Sequence, residues 1–193
     1  MSLKLAAVVL AGGEGRRMGG GKPLKPWRGG TLVSHALEKA RGYAPRVAVA
    51  VRTPDQAGSL DAPSLTDPPD IAGPLAGLSS ALAFAAEEGV DAVLTLPCDV
   101  PFAPADLAVR LAEALADDVG VAMAESRGRW HPTCALWRAG LDGALADYAA
   151  GGGRSLRGFA ERAGLRLVDW GAAGPDPFAN VNTPEDLARL DSH

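Results

Sequence analysis

Leu5-Ala6-Ala7-Val8-Val9-Leu10-Ala11-Gly12-Gly13-Glu14-Gly15-Arg16-Arg17-Met18-Gly19-Gly20-Gly21-Lys22-Pro23-Leu24-Lys25 is the stretch that decides the fold. It opens with an apolar run, Leu5 to Leu10, of the length and composition of a buried strand. The run breaks into a loop carrying Gly12, Gly13, Gly15, Gly19, Gly20 and Gly21. Arg16, Arg17, Lys22, Lys25 and Arg28 lie in or beside that loop, and Glu14 is its only acid. Glycine lets backbone N–H groups turn toward a ligand and approach it closely. Arginine and lysine add charge and donors. A buried strand feeding a cationic, glycine-rich loop describes a polyphosphate cradle at the carboxyl end of a strand.

Known phosphate loops do not account for it. The dinucleotide fingerprint would need a third glycine where Met18 stands. A Walker-type loop would need Ser or Thr after Gly21-Lys22, where Pro23 stands, and a glycine in place of Arg16.

The whole chain has 193 residues, is 47% hydrophobic and carries a formal net charge of -4. That is enough for one domain with a full core, and we expect a single domain over 1–193. The acidic balance argues against nucleic acid as a partner. Against that background the cationic loop stands out as a site for a local anion. No apolar run is long enough for a membrane span, and Met1-Ser2-Leu3-Lys4 shows no signal-peptide pattern. Cys98 and Cys134 lie in unlike contexts, which fits a reduced cytoplasmic protein with both thiols in packing roles. His35, His131 and His193 form no spaced metal motif.

After the loop, Thr31 is placed to cap a helix whose apolar face is Leu32, Val33, Ala36, Leu37 and Ala40. Arg46 to Val51 reads as a strand, with Ser64-Leu65 as a possible short one. Pro74 to Glu88 reads as a helix and Ala92 to Leu96 as another strand. Ala105 to Ala116 reads as an amphipathic helix, Val119 to Ala124 and Thr133 to Trp137 as strands. A helix from Leu156 with Ser155 as cap and a strand from Leu165 to Trp170 follow. Strand and helix alternate, so the expected fold is α/β: a three-layer sandwich with a mostly parallel, Rossmann-like sheet.

Further stretches carry chemistry. In Asp67 to Gly77, Pro74 suits a first helical turn and Gly73 lets a ligand lie against the helix entrance; a Gly-Pro helix start alone also explains the pattern. In Ala92 to Phe102, an apolar strand delivers Asp99 to the sheet edge where such folds bind ligands. A hard carboxylate there suits Mg²⁺, held by one or two carboxylates together with phosphate oxygens. His131 precedes Pro132 and reads as a hydrogen-bonded turn residue and not as a general base. Gly151-Gly152-Gly153-Arg154-Ser155 fits a flexible connection or a phosphate clamp equally well. Near the end, Thr183 with Asp186 makes a capping-box-like start, with Pro184 at the first helical position. Asn180 and Asn182 are not explained that way, and alternation aims both at one site.

Leu10-Ala11-Gly12-Gly13 with Arg17-Met18-Gly19-Gly20 and Lys22 resembles the signature loop of nucleotidyltransferases, most of all the molybdenum cofactor guanylyltransferases. Gly73-Pro74-Leu75-Ala76-Gly77 after Asp67, Pro97-Cys98-Asp99-Val100-Pro101-Phe102, Trp130 to Trp137, and Phe178 to Leu187 resemble later stretches of that family in the same order. The resemblance implies a nucleotidyltransferase-type fold and transfer of GMP from GTP to a molybdenum-bearing pterin, giving the guanine dinucleotide cofactor and pyrophosphate. It implies GTP contacts from Leu10, Ala11, Gly12, Gly13, Lys22, Asp67, Gly73, Pro74, Leu75 and Asp99. It makes Asp99 the Mg²⁺ ligand, and Arg17 and Lys22 the groups that stabilise the leaving pyrophosphate. Arg154, Asn180 and Asn182 fall on the pterin side. A monomer is expected, with GTP and the pterin cofactor as small-molecule partners and molybdenum-enzyme maturation proteins as candidate protein partners. The chain departs from the family where Gly21 precedes Lys22 in place of an acid, and where Ala50-Val51-Arg52 lacks an Asn. A cytidylyltransferase on the same pterin, a sugar-phosphate nucleotidyltransferase and a non-catalytic nucleotide-binding module are the alternatives. Gly12, where the cytidylyltransferase loop usually has alanine, and the Gly73 to Gly77 stretch favour guanine over cytosine.

Overall fold

The computed structural model describes residues 3–13, 20–183 and 185–186. In chain order the elements are β1 (Leu5–Leu10), β2 (Pro26–Trp27), β3 (Gly30–Thr31), α1 (Leu32–Tyr43), β4 (Arg46–Val51), β5 (Ser64–Thr66), α2 (Pro74–Glu87) and β6 (Ala92–Pro97). They continue as α3 (Leu107–Ala114), β7 (Val121–Ser126), β8 (Arg129–Arg138), α4 (Asp142–Ala150), α5 (Leu156–Ala163) and β9 (Leu165–Asp169).

The main sheet has seven strands in the order β5-β4-β1-β6-β8-β7-β9. Only β8 runs against the others, pairing antiparallel with β6 and β7, while the β1–β4, β1–β6, β4–β5 and β7–β9 pairs are all parallel. β1 is buried on both faces, as its unbroken apolar sequence requires. Ala7 and Val9 pack into the core under α1 and α3, whereas Ala6 and Val8 pack into the core under α2, α4 and α5. The period of two thus divides the interior into two cores with the sheet between them, which is the expected three-layer sandwich. Thr95 is a buried polar residue of the central sheet; its hydroxyl donates to the Ala135 carbonyl at 3.2 Å and accepts from Trp137 Nε1 at 3.0 Å.

The chain runs from β1 to β4 and β5 on one side, then crosses to β6 on the other. The carboxyl ends of β1 and β6 therefore flank a topological switch point, where open α/β sheets form a ligand crevice. Thr31 caps α1 through a reciprocal pair: its hydroxyl accepts from Ser34 N at 3.2 Å and Ser34 Oγ accepts from Thr31 N at 2.8 Å. Ser155 caps α5 by accepting from Gly158 N at 3.1 Å.

Some boundaries differ from the sequence reading. α3 is shorter than 105–116, and β7 starts at Val121. β8 begins at Arg129, so His131 lies within a strand and not in a turn; the turn is made by Arg127 and Gly128, with φ of 54° and 70°. α4 and the β2–β3 hairpin were not anticipated. α4 buries only Leu145, so it has no apolar stripe to read. Among the described residues, no helix is long and apolar enough to cross a membrane.

Candidate active site

At the end of β1 the chain stays pinned to the sheet, with Ala11 N donating to Ala50 O at 2.8 Å. Gly12 and Gly13 follow and enter a cavity of about 730 Å³ at the switch point. Arg17 lies outside the described residues. Gly21, with φ of 57° and ψ of 31° in the left-handed region, precedes a short 3-10 segment, Lys22–Leu24. That geometry, easiest for glycine, directs Lys22 back toward β6.

Lys22 Nζ donates to Asp99 Oδ2 at 2.6 Å and to Asn182 Oδ1 at 2.8 Å. Asn180 Nδ2 reaches the same Asp99 oxygen at 3.3 Å. Asp99 lies in the turn after β6, two residues past Pro97, and its carbonyl accepts from Val181 N at 2.8 Å. The Lys22 and Asp99 side chains are 12% and 13% exposed, so the pair is shielded yet open to the cavity. Among the described residues both side-chain donors fall on Oδ2 and none on Oδ1.

Asp67 stands on the opposite wall. Its N–H donates to Val51 O at 2.9 Å, extending the β4–β5 ladder and aiming the side chain into the cavity. Oδ1 is buried and accepts no hydrogen bond among the described residues. Burial raises the Asp67 pKa from the ordinary carboxylate value, against the opposing pull of Arg52. A Cβ on Gly12 would lie 3.3 Å from Asp67 Oδ2, and one on Gly77 would lie 3.9 Å from Oδ1 and 3.2 Å from a Leu10 methyl. Both glycines keep the space around this carboxylate clear. α2 begins beside it: Gly73, with φ of 71° and ψ of -150°, precedes Pro74, and no side chain caps the helix. Gly73, Pro74 and Gly77 line the cavity, so the positive end of a 14-residue helix borders it.

The fold thus gathers Leu10, Gly12, Gly13, Lys22, Asp67, Gly73, Pro74, Asp99, Asn180 and Asn182 around one cavity. Others expected there lie elsewhere. The Ala11 and Leu75 side chains are buried in the two cores, each 1% exposed, so Ala11 can serve the site only through its backbone. Arg154 lines a separate groove between the start of α2 and the end of α4, where its Nη1 donates to Ala149 O at 3.0 Å and Gly153 O at 2.8 Å. A cation satisfying the last carbonyls of a helix is a structural use of arginine. Asn180 and Asn182, assigned to the pterin side, touch the same Asp99 and Lys22 that the nucleotide side needs.

Residues that the sequence did not single out also shape the site. Gln56 accepts from Arg52 N at 2.8 Å and donates to Gly13 O at 3.2 Å, tying the glycine loop to the end of β4. Arg52 and Thr133 line the cavity. Cys98 lines it too, but burial and the Asp99 charge push its thiol up to about 12, so it is protonated at neutral pH and packs without acting as a nucleophile.

A family described as "MobA-like NTP transferase domain" matches residues 7–165. The chain is 40% identical over 192 residues to the molybdenum cofactor guanylyltransferase of Cereibacter sphaeroides, covering 98% of this chain and 97% of that one. The chain belongs to the MobA-like NTP transferase family. It is a nucleotidyltransferase of the molybdenum cofactor guanylyltransferase group. Among solved structures, molybdopterin-guanine dinucleotide biosynthesis protein A from Archaeoglobus fulgidus superposes with a TM-score of 0.76 at 23% identity, covering 97% of both chains. A Mycobacterium tuberculosis protein solved as a complex with manganese superposes with a TM-score of 0.64 at 17% identity, covering 97% of both chains.

Among the described residues, no group of three or more His, Cys, Asp or Glu side chains could hold a metal ion. The donor set fits a cation that brings its own ligands: Asp99 presents Oδ1 at the switch point, and magnesium is commonly held by one or two carboxylates plus phosphate oxygens.

Proposed function

We propose that the chain, as one nucleotidyltransferase domain, transfers GMP from GTP to the molybdenum-bearing pterin monophosphate. A pterin phosphate oxygen forms a bond to the GTP α-phosphorus, and the bond from that phosphorus to the departing pyrophosphate breaks. The carrying observation is the arrangement of Asp67 and the Lys22–Asp99 pair on opposite walls of one cavity. Asp67 offers a buried, unsatisfied acceptor, and the Watson–Crick edge of guanine offers an N–H and an amino group. Cytosine lacks that donor pair, which favours GTP over CTP. Gly12 and Gly77 leave room for the base, and the start of α2 adds positive potential along the same wall.

Lys22 places an ammonium where the triphosphate must lie, and Arg17 in the same loop is its proposed companion in holding the leaving group. A divalent cation on Asp99, with Mg²⁺ the proposed occupant, supplies charge neutralisation of the phosphates. Asn180 and Asn182 hold Asp99 and Lys22 from the pterin-facing side. We place the reaction in the cytoplasm and the protein as a monomer, with molybdenum-enzyme maturation proteins as recipients of the product.

The test is direct. Purified protein is incubated with the pterin cofactor, Mg²⁺ and each nucleoside triphosphate in turn, and the dinucleotide and pyrophosphate are identified by mass. GTP-dependent formation of both products is expected. A product formed from CTP instead would make the enzyme a cytidylyltransferase, and binding without pyrophosphate release would make it a nucleotide-binding module.

A further inference from the structure

The backbone of 178–182 meets the site through Val181 N on the Asp99 carbonyl, and its side chains through Asn180 and Asn182. Something must hold that irregular segment in register, since the strands end at Asp169. The hold comes from the far side of the sheet edge. Asp176 Oδ1 accepts from Ser126 Oγ at 2.8 Å and from Phe178 N at 3.0 Å. Ser126 ends β7 and is fully buried. A serine hydroxyl carries one proton, and here it goes to Asp176. The His131 Nε2, 2.7 Å from Ser126 Oγ, is therefore the donor of that contact. The His131 ring also stacks on Phe178 at 4.6 Å with 25° between planes, and Trp170 meets Phe178 edge-on at 5.2 Å. Phe178 is 1% exposed.

Charge agrees with this wiring. Burial lowers the His131 pKa, with Asp176 opposing and Arg129 reinforcing, so a neutral imidazole with one N–H is the form at neutral pH. Burial alone would raise Asp176, but the Phe178 N–H, the Ser126 hydroxyl, the charge His131 takes on in the acidic range where Asp176 titrates, and Arg127 together hold its pKa below the ordinary value. His131 is not among the described residues that line the cavity; its Nε2 contact is to Ser126 Oγ.

We propose that His131, Ser126 and Asp176 are positioning residues that clamp the 176–178 bend and so set Val181, Asn180 and Asn182 against Asp99 and Lys22. The positioning itself is independent of the reaction; its kinetic consequence rests on the GMP-transfer reading.

Two measurements test it. Hydrogen exchange is followed at Val181 in the unaltered protein, Asp176→Ala and Asp176→Asn. The alanine variant should exchange at Val181 at least ~10-fold faster with β1 and β6 amides unchanged, because only the clamp opens. The asparagine variant keeps an oxygen for Ser126 and Phe178 and should stay within ~3-fold of the unaltered protein. In the second measurement, kcat is compared for Asp176→Ala, Asn182→Ala and the double variant. Residues acting through one contact lose activity non-additively, so the double variant should fall by no more than ~2-fold below the worse single one. Should Asp176→Ala fail to fold, His131→Ala and its rescue by His131→Gln, which restores an N–H donor, carry the same two measurements. Unchanged Val181 exchange in the alanine variants, or kcat losses that multiply, overturns the proposal. Faster Val181 exchange together with no GMP transfer by the unaltered protein overturns the functional reading and leaves the positioning role intact.

Discussion

Lys22 and Asp99, 77 residues apart in sequence, meet at 2.6 Å across the switch point of the sheet. The pair brings the lysine of the glycine-rich loop onto the carboxylate in the turn after β6, so one contact joins the two motifs. Asn182, 160 residues beyond Lys22, takes a second hydrogen of the same ammonium at 2.8 Å.

Asp99→Asn keeps the shape and one oxygen but removes the charge. Activity should fall by roughly 10²-fold or more, the scale of losing a main electrostatic element in a preorganised site. The Mg²⁺ midpoint of the surviving activity should rise, because one cation ligand is weakened. Thermal melts and magnesium titrations on the same preparation decide: a lower Tm with an unchanged midpoint would make Asp99 a structural residue.

Asp67 faces the reverse situation. An acid whose pKa is raised in the folded chain binds more protons there than in the unfolded chain. Its contribution favours folding below the ordinary carboxylate pKa and is lost as pH rises through the raised value. At neutral pH the ionised group is therefore a stability liability, and Asp67→Asn should raise Tm at pH 7 and raise it less at pH 4. The same change should weaken GTP binding by about 10-fold, since a buried acceptor matched to guanine donors is lost. A lower Tm at pH 7 in a cleanly folded variant would contradict the burial cost on the ionised Asp67.

The same carboxylate sets nucleotide choice. GTP should exceed CTP at least ~10-fold in kcat/KM, about 1.4 kcal/mol of transition-state discrimination. Steady-state kinetics with both nucleotides measures it, and equal turnover would refute guanine recognition while leaving the fold as described.

Gly12→Val places branched methyls next to Asp67, where the first carbon alone would already stand 3.3 Å from Oδ2. KM for GTP should rise by about 10-fold or more, as steric occupation of a binding site removes uniform binding. Calorimetry with GTP alone checks that the loss is in binding, and a melt checks that the fold holds.

Asn182→Ala takes one of two acceptors from Lys22 and leaves the other. GTP affinity should change by less than ~3-fold, while kcat drops by about 10-fold, because the ammonium is still present but no longer fixed. A large loss of GTP affinity at constant kcat would assign Asn182 to binding the nucleotide itself.

The strands that build the center of the sheet were legible because their residues leave no ambiguity. β1 is an unbroken apolar run, β4 is apolar from Val47 to Val51, and β6 is interrupted only by Thr95, the pattern of strands buried on both faces. α4 was hidden because alanine and glycine dominate it and a single leucine faces inward. Lys22, Asp67 and Asp99 could be named from their local settings and the family resemblance, as each ends or follows an element that points at the crevice. The contact between Lys22 and Asn182 could not, since no spacing rule spans tertiary distance. Arg154 was legible only as one of two readings: the structure places Gly153 against the Tyr148 ring and the guanidinium on the carbonyls of Ala149 and Gly153, outside the cavity that Asp99 lines.

The Val181 N–H on the Asp99 carbonyl also sets when the molecule can work. During synthesis the chain emerges from its amino end, and segments fold as they appear. A nascent chain that has just exposed Asp169 already holds every strand of the sheet. It still lacks Asn180, Val181 and Asn182, so its Asp99 and Lys22 stand without those partners. Completion of the sheet and completion of the site are separate events, and the ribosome must deliver more than a dozen further residues between them. A nascent chain paused at the start of that interval has its strands but lacks Phe178 from one core and Asn180 and Asn182 from its active center.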